Sequence, residues 1–275
     1  MGARVHILSS ASFFKAENII FENSFNYYVT KEEIEDGVEV SWETGIKVER
    51  NLDLDVKSKE ATERAAAISI EASFVEFLNC KFFSSQDTLY TCGSPLYFKN
   101  CLIEGQTDYI FGGSNAVFDS CELRWKGFNK NSNRGHITVS STEDTGYFMI
   151  NCKVTNNKSL TVKTGHFGRP WKKTAQVFYV NTTLEDRTTI SEFGWDSMGG
   201  VQPDEVEGFK EYGTKYKNGG LVNTSQRKGH VLSKKDVENL DIKKYINDWN
   251  QHLCKLIIYI YFPILFKEKK VFIFL

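Results

Sequence analysis

Two aspartates, Asp87 and Asp108, stand 21 residues apart, and each follows an asparagine (Asn79, Asn100) by eight positions. Matching offsets of this kind place side chains at the same point of successive structural repeats. In a stacked fold the two carboxylates would then lie about 5 Å apart, the spacing of adjacent strands. Two ionised carboxylates at that distance repel, so one is expected to bind a proton more tightly while the other stays ionised. That division into an acid and a base suits hydrolysis. A cation would decide which carboxylate keeps its charge, and Arg169, in Gly168-Arg169-Pro170-Trp171, is the candidate, because a guanidinium can grip a carboxylate with two parallel hydrogen bonds. Spacing alone leaves open a second reading, in which the aspartates only cap turns.

The repeat that would position them is short: an apolar residue, any residue, Asn or Ser, then a small residue. It occurs as Phe21-Glu22-Asn23-Ser24, Phe77-Leu78-Asn79-Cys80, Phe98-Lys99-Asn100-Cys101, Phe118-Asp119-Ser120-Cys121 and Met149-Ile150-Asn151-Cys152, with a weaker copy at Tyr179-Val180-Asn181-Thr182. Strand-like runs such as Val75-Glu76-Phe77 carry these copies, and residues 65–195 lack amphipathic helical periodicity. Short strands recurring at about 20 residues predict an all-β solenoid with one repeat per coil, longer intervals being coils with inserted loops. Cys80, Cys101, Cys121 and Cys152 would then form an interior ladder of small buried side chains. Stacking also brings Cys101 and Cys121 within disulfide range, so a bridge between them is open if the protein is exported.

The 275 residues carry 34 basic and 35 acidic side chains, for a net charge of −1. A nucleic-acid binder would show a basic excess, and none is present. Residues 31–64 contain 17 charged side chains, 11 acidic and 6 basic, and read as a solvated excursion between coils. Ser233-Lys234-Lys235-Asp236 resembles a capping box and predicts a helix over 233–249 that packs on the solenoid. Leu256–Phe266 is an apolar run containing Pro263 and followed by Lys267-Glu268-Lys269-Lys270. It falls short of the roughly 20 residues that a membrane helix needs, so residues 250–275 are expected to lie outside the fold, with no membrane partner. The N-terminus shows no secretory signal. The five histidines, at 6, 136, 166, 230 and 252, are scattered, so no metal site is expected. Serine-hydrolase, zinc-protease and phosphate-loop motifs are absent.

Gln86-Asp87-Thr88-Leu89-Tyr90, Thr107-Asp108-Tyr109-Ile110-Phe111-Gly112 and Gly168-Arg169-Pro170-Trp171 resemble, in order and spacing, the QDTLY, VDFIFG and GRPW segments of the pectinesterases, in a bacterial-like form. Phe14-Lys15-Ala16-Glu17-Asn18-Ile19 and Gly194-Trp195 resemble further segments, and the likeness covers about residues 5–249. It implies a right-handed parallel β-helix over 1–249, with a short C-terminal helix, that removes methyl esters from pectin. By the same resemblance Asp108 would be the nucleophile and Asp87 the general acid and base. Gln86 would be the oxyanion donor, Arg169 the residue that orients Asp108, and Trp171 a platform for a sugar ring. No cofactor is implied. The expected partner is methyl-esterified homogalacturonan, met by a monomer outside the cell or in the cell wall. Arg64 stands where the family usually has a second glutamine. It could support the oxyanion, or pair with an aspartate and leave an impaired, pectin-binding β-helix. The family domain usually begins several coils earlier, so missing N-terminal coils are also expected.

Overall fold

The computed structural model describes residues 3, 5–23, 39–41, 47–49, 65–84, 86–126, 135–142, 146–157 and 165–240. Within them the chain winds through three parallel sheets. Sheet A has six strands: Val5–Ile7, Ile68–Ile70, Leu89–Thr91, Ile110–Gly112, His136–Ser140 and His166–Pro170. Sheet B has eight, running from Lys15–Glu17 to His230–Val231, and sheet C has seven, running from Ile20–Glu22 to Lys215–Tyr216. Each full coil contributes one strand to each sheet, as Leu89–Thr91, Leu96–Lys99 and Leu102–Gly105 do before Ile110–Gly112 opens the next coil. The architecture is the solenoid that the repeat predicts, in the form the resemblance implies, a right-handed parallel β-helix.

The strands are short because the chain must turn a corner every few residues, and the repeat marks one of those corners. Asn79, Asn100, Ser120, Asn151 and Asn181 all adopt left-handed backbone, with φ between 52° and 56°. Asparagine tolerates this conformation better than most residues, which explains its place between a sheet B strand and a sheet C strand. The amide of Asn79 donates to the Lys99 carbonyl at 2.9 Å and that of Asn100 to the Asp119 carbonyl at 3.0 Å, so each corner is tied to the next coil. One copy of the repeat is out of register. Ala16 pairs with Phe77, so the first member of the ladder is Asn18, with φ 59°, rather than Asn23. The apolar position is occupied there by alanine, which hides the copy in the sequence.

The residue after each corner points inward. Cys80, Cys101, Cys121 and Cys152 are buried free thiols, not a disulfide pair, and the ladder continues as buried Thr182. Each thiol donates weakly to a carbonyl of the preceding coil, for example Cys101 Sγ to Phe77 O at 3.4 Å and Cys152 Sγ to Phe118 O at 3.3 Å. Burial holds the Cys121 thiol well above its usual range. Beside the thiols, Phe77, Phe98 and Phe118 stack along the axis with centroids 5.1 and 4.6 Å apart and rings within 10° of parallel. These ladders form one continuous apolar core.

The charged excursion contains an antiparallel pair, Glu39–Ser41 with Lys47–Glu49; the rest of 31–64, including Arg64, and the tail 250–275 lie outside the described residues. Helix α1, Lys234–Glu238, starts from the Ser233/Asp236 capping box. It buries Val237 with Tyr97, Val117, Phe148, Ile150, Phe178 and Val180 on sheet B. Residues 241–249 of the expected helix lie outside the described residues. No helix among the described residues is long and apolar enough to cross a membrane.

Candidate active site

The corner leading into sheet A holds both aspartates. Leu89 pairs with Ile110, so Asp87 and Asp108 fall at the same place on successive coils. Gln86 pairs with Thr107, and the Asp87 amide donates to the Thr107 carbonyl at 3.0 Å. Both aspartates adopt left-handed backbone, with φ 61° and 50°. Aspartate tolerates that region, and the corner sets both side chains at one edge of sheet A. They are 6% and 5% exposed, so their charges are shielded from bulk water and depend on nearby groups. The stacking read from the 21-residue spacing is therefore present.

Arg169 comes from the sheet A strand His166–Pro170, two coils further on. Its Nε donates to Asp108 Oδ1 at 2.9 Å and its Nη2 to Asp108 Oδ2 at 2.5 Å, a two-point grip on one carboxylate. Burial alone would favour neutral Arg169; the hydrogen bonds and charge of Asp108 outweigh it and push the guanidinium pKa up. Gly168 lets this strand seat closely, because a Cβ there would lie 2.2 Å from Thr138 Oγ1. That contact accounts for the glycine before the arginine.

Also beside Asp108 stands His136, which sequence reasoning passed over. Its Nδ1 is 3.9 Å from Asp108 Oδ1, and its Nε2 donates to Asp196 Oδ2 at 3.0 Å. The hydrogen bond from His136 holds Asp196 well below the usual carboxylate range, against the opposing effect of burial. His136 pairs directly with His166 on the next strand, and their rings lie 5.5 Å apart at 17°. Two of the histidines that look scattered in sequence, His136 and His166, are thus neighbours in space. The signal was their 30-residue separation, which equals the local coil interval between Asn151 and Asn181.

An aromatic strip leads away from the aspartates across the outer face of sheet A. Tyr90 and Phe111 pack at 4.8 Å, and Phe111 lies 6.5 Å from Trp171, which is 47% exposed. An exposed tryptophan beside buried carboxylates offers a flat apolar surface to a ring-shaped ligand. Gln86 is half-buried beside Asp87 at the start of the same corner.

The pectinesterase family model matches residues 37–249. Pectinesterase 31 of Arabidopsis thaliana is 32% identical over 169 residues, covering 60% of this chain and 50% of the relative. Probable pectinesterase A of Aspergillus niger is 38% identical over 141 residues, covering 49% of this chain and 40% of the relative. The chain thus spans half or less of the length of these curated relatives. A solved pectin methylesterase from Erwinia chrysanthemi superposes with a TM-score of 0.63 at 20% identity, covering 87% of this chain and 71% of that one, which speaks for the fold. With a family model covering most of the coils and both aspartate corners, the chain belongs to the pectinesterase family.

Proposed function

We propose that the chain hydrolyses the methyl esters of pectin, with Asp108 as nucleophile and Asp87 as acid and then base. The observation that carries this reading is the Arg169 grip on Asp108 while Asp87 occupies the same corner one coil earlier. A carboxylate held at both oxygens is fixed in orientation, as an attacking group must be. Asp108 attacks the ester carbonyl of a methyl galacturonate, and the Gln86 amide donates to the resulting oxyanion. Collapse of this intermediate breaks the carbon–methoxy bond, and protonated Asp87 delivers its proton to the departing methoxide, giving methanol and an acyl–Asp108 anhydride. Asp87, now a carboxylate, takes a proton from water as that water attacks the acyl carbon. The sugar carboxylate leaves, and Asp108 and protonated Asp87 are restored. Trp171 supports the sugar ring. Pectin lies outside cells, so the same reading places the protein there, acting as a monomer on methyl-esterified homogalacturonan.

Product analysis tests the proposal. Incubation with highly methylated pectin should release methanol and free carboxylate in equal amounts, with no change in polymer length. Shortened chains with unsaturated ends would indicate a lyase instead. A folded protein that retains pectin but releases no methanol would support the impaired, binding-only reading.

A further inference from the structure

We propose that His136, His166 and Asp196 form a binding site for a divalent cation of the zinc class, directly behind Asp108. The three ligating atoms lie within 4.8 Å of one another. Two come from neighbouring strands of sheet A and the third from a segment bridged to the second of them. His136 and His166 are register partners on neighbouring strands, and Trp195, the residue before Asp196, bridges to Gly168. The Asp196 amide donates to the Gly168 carbonyl at 3.0 Å, which fixes the third ligand against the second. Zinc binds imidazole nitrogen and carboxylate oxygen at about 2.0–2.2 Å, so tetrahedral ligands stand roughly 3.3–3.5 Å apart. His136 Nε2 and Asp196 Oδ2, at 3.0 Å, are already close to that separation. Closing a gap of 4.8 Å to that separation takes a combined movement of about 1.4 Å.

The donor set selects the metal. Two imidazoles and one carboxylate suit zinc, cobalt and related first-row ions, whereas magnesium and calcium favour oxygen ligands. Both histidines are buried, while the Asp196 side chain is 28% exposed. The cation therefore has an entry side at Asp196, from which solvent can supply a further ligand. The second nitrogen of His136 supplies an independent argument. Histidines that bind metals usually direct the remaining N–H at an acceptor, a carboxylate, backbone carbonyl or water. His136 Nδ1 is buried, has no hydrogen-bond partner, and faces Asp108 Oδ1 at 3.9 Å. A metal on Nε2 would leave the proton on Nδ1 and aim it at Asp108, completing the arrangement.

Cobalt titration of the 275-residue chain gives a readout independent of esterase activity. One equivalent of Co2+ should produce a visible d–d band without the near-ultraviolet thiolate charge transfer that binding at exposed Cys92 would add, and Zn2+ should abolish the band. Cys92→Ser should leave the titration unchanged. His166→Phe, which keeps a flat ring in the stack, and Asp196→Asn should each weaken binding by more than about 100-fold. Zn2+ should also raise the melting temperature of the parent and not of these variants. No d–d band from the folded parent overturns the proposal. Equal binding by folded His166→Phe does the same, by showing adventitious coordination elsewhere.

Discussion

Replacing Arg169 with lysine separates the geometry of the grip on Asp108 from its charge. Arginine makes two charge-assisted bonds to the carboxylate, at 2.9 and 2.5 Å. Lysine keeps the charge on a single ammonium, which cannot span both oxygens in parallel. Loss of one hydrogen bond to a charged group costs about 1.5–3 kcal/mol. Where that loss is felt in the transition state, each 1.4 kcal/mol is tenfold in rate, so kcat should fall about 10- to 150-fold. KM should change little, because Arg169 is placed against Asp108 and not against the sugar. The assay is the initial rate of methanol release over a range of pectin concentrations, with circular dichroism to confirm the fold. A kcat within threefold of the parent, or an effect confined to KM, would refute the orienting role given to Arg169.

Three further outcomes concern stability. Arg227 Nε and Glu211 Oε1 meet at 2.7 Å with both side chains 1% exposed, and breaking such a pair from one side costs about 3–5 kcal/mol, so Glu211→Gln should sharply lower the denaturation midpoint. The double variant Glu211→Leu with Arg227→Met, which leaves no buried charge, should recover much of that loss. Burial, opposed by nearby Glu104 and Glu22, pulls Lys126 down to about 7 from a usual value near 10.4. The folded state then binds fewer protons than the unfolded chain between these values, so this group makes stability rise with pH from about 7 to 10. Lys126→Met should stabilise the protein at pH 7 and flatten that slope, and lower stability of Lys126→Met at pH 7 would contradict the assignment. Asn151, at φ 53°, should lose about 1 kcal/mol on change to alanine and little on change to glycine, read from urea midpoints.

What could be read from the sequence was whatever the solenoid period carries. Coil spacing places Asp87 over Asp108 and the thiols in a ladder, because every coil between residues 65 and 125 has nearly the same length. The period fails where side-chain identity or loop length breaks the pattern. Ala16 replaces the aromatic of the first coil, so the copy at Asn23 looked better than the true one at Asn18. Loops lengthen the coils after Ser120, so the kinship of His136 with His166 was visible only by matching their separation to the local interval. Arg169 was found through its chemistry, a guanidinium for a carboxylate; spacing left open which aspartate it grips, the family resemblance pointed to Asp108, and the close strand packing at Gly168 shows how it reaches there. Asp196 could not have been foreseen, since Trp195 and Gly168 meet through a single bridge rather than a repeated strand.

The most direct measurement is methanol release from highly methylated pectin by the parent chain and by Asp108→Ala, each checked for a β-sheet spectrum. Release by the parent, with a fall of several orders of magnitude in a folded variant, is the predicted result. Comparable release by a folded Asp108→Ala protein would contradict the assignment of Asp108 as nucleophile.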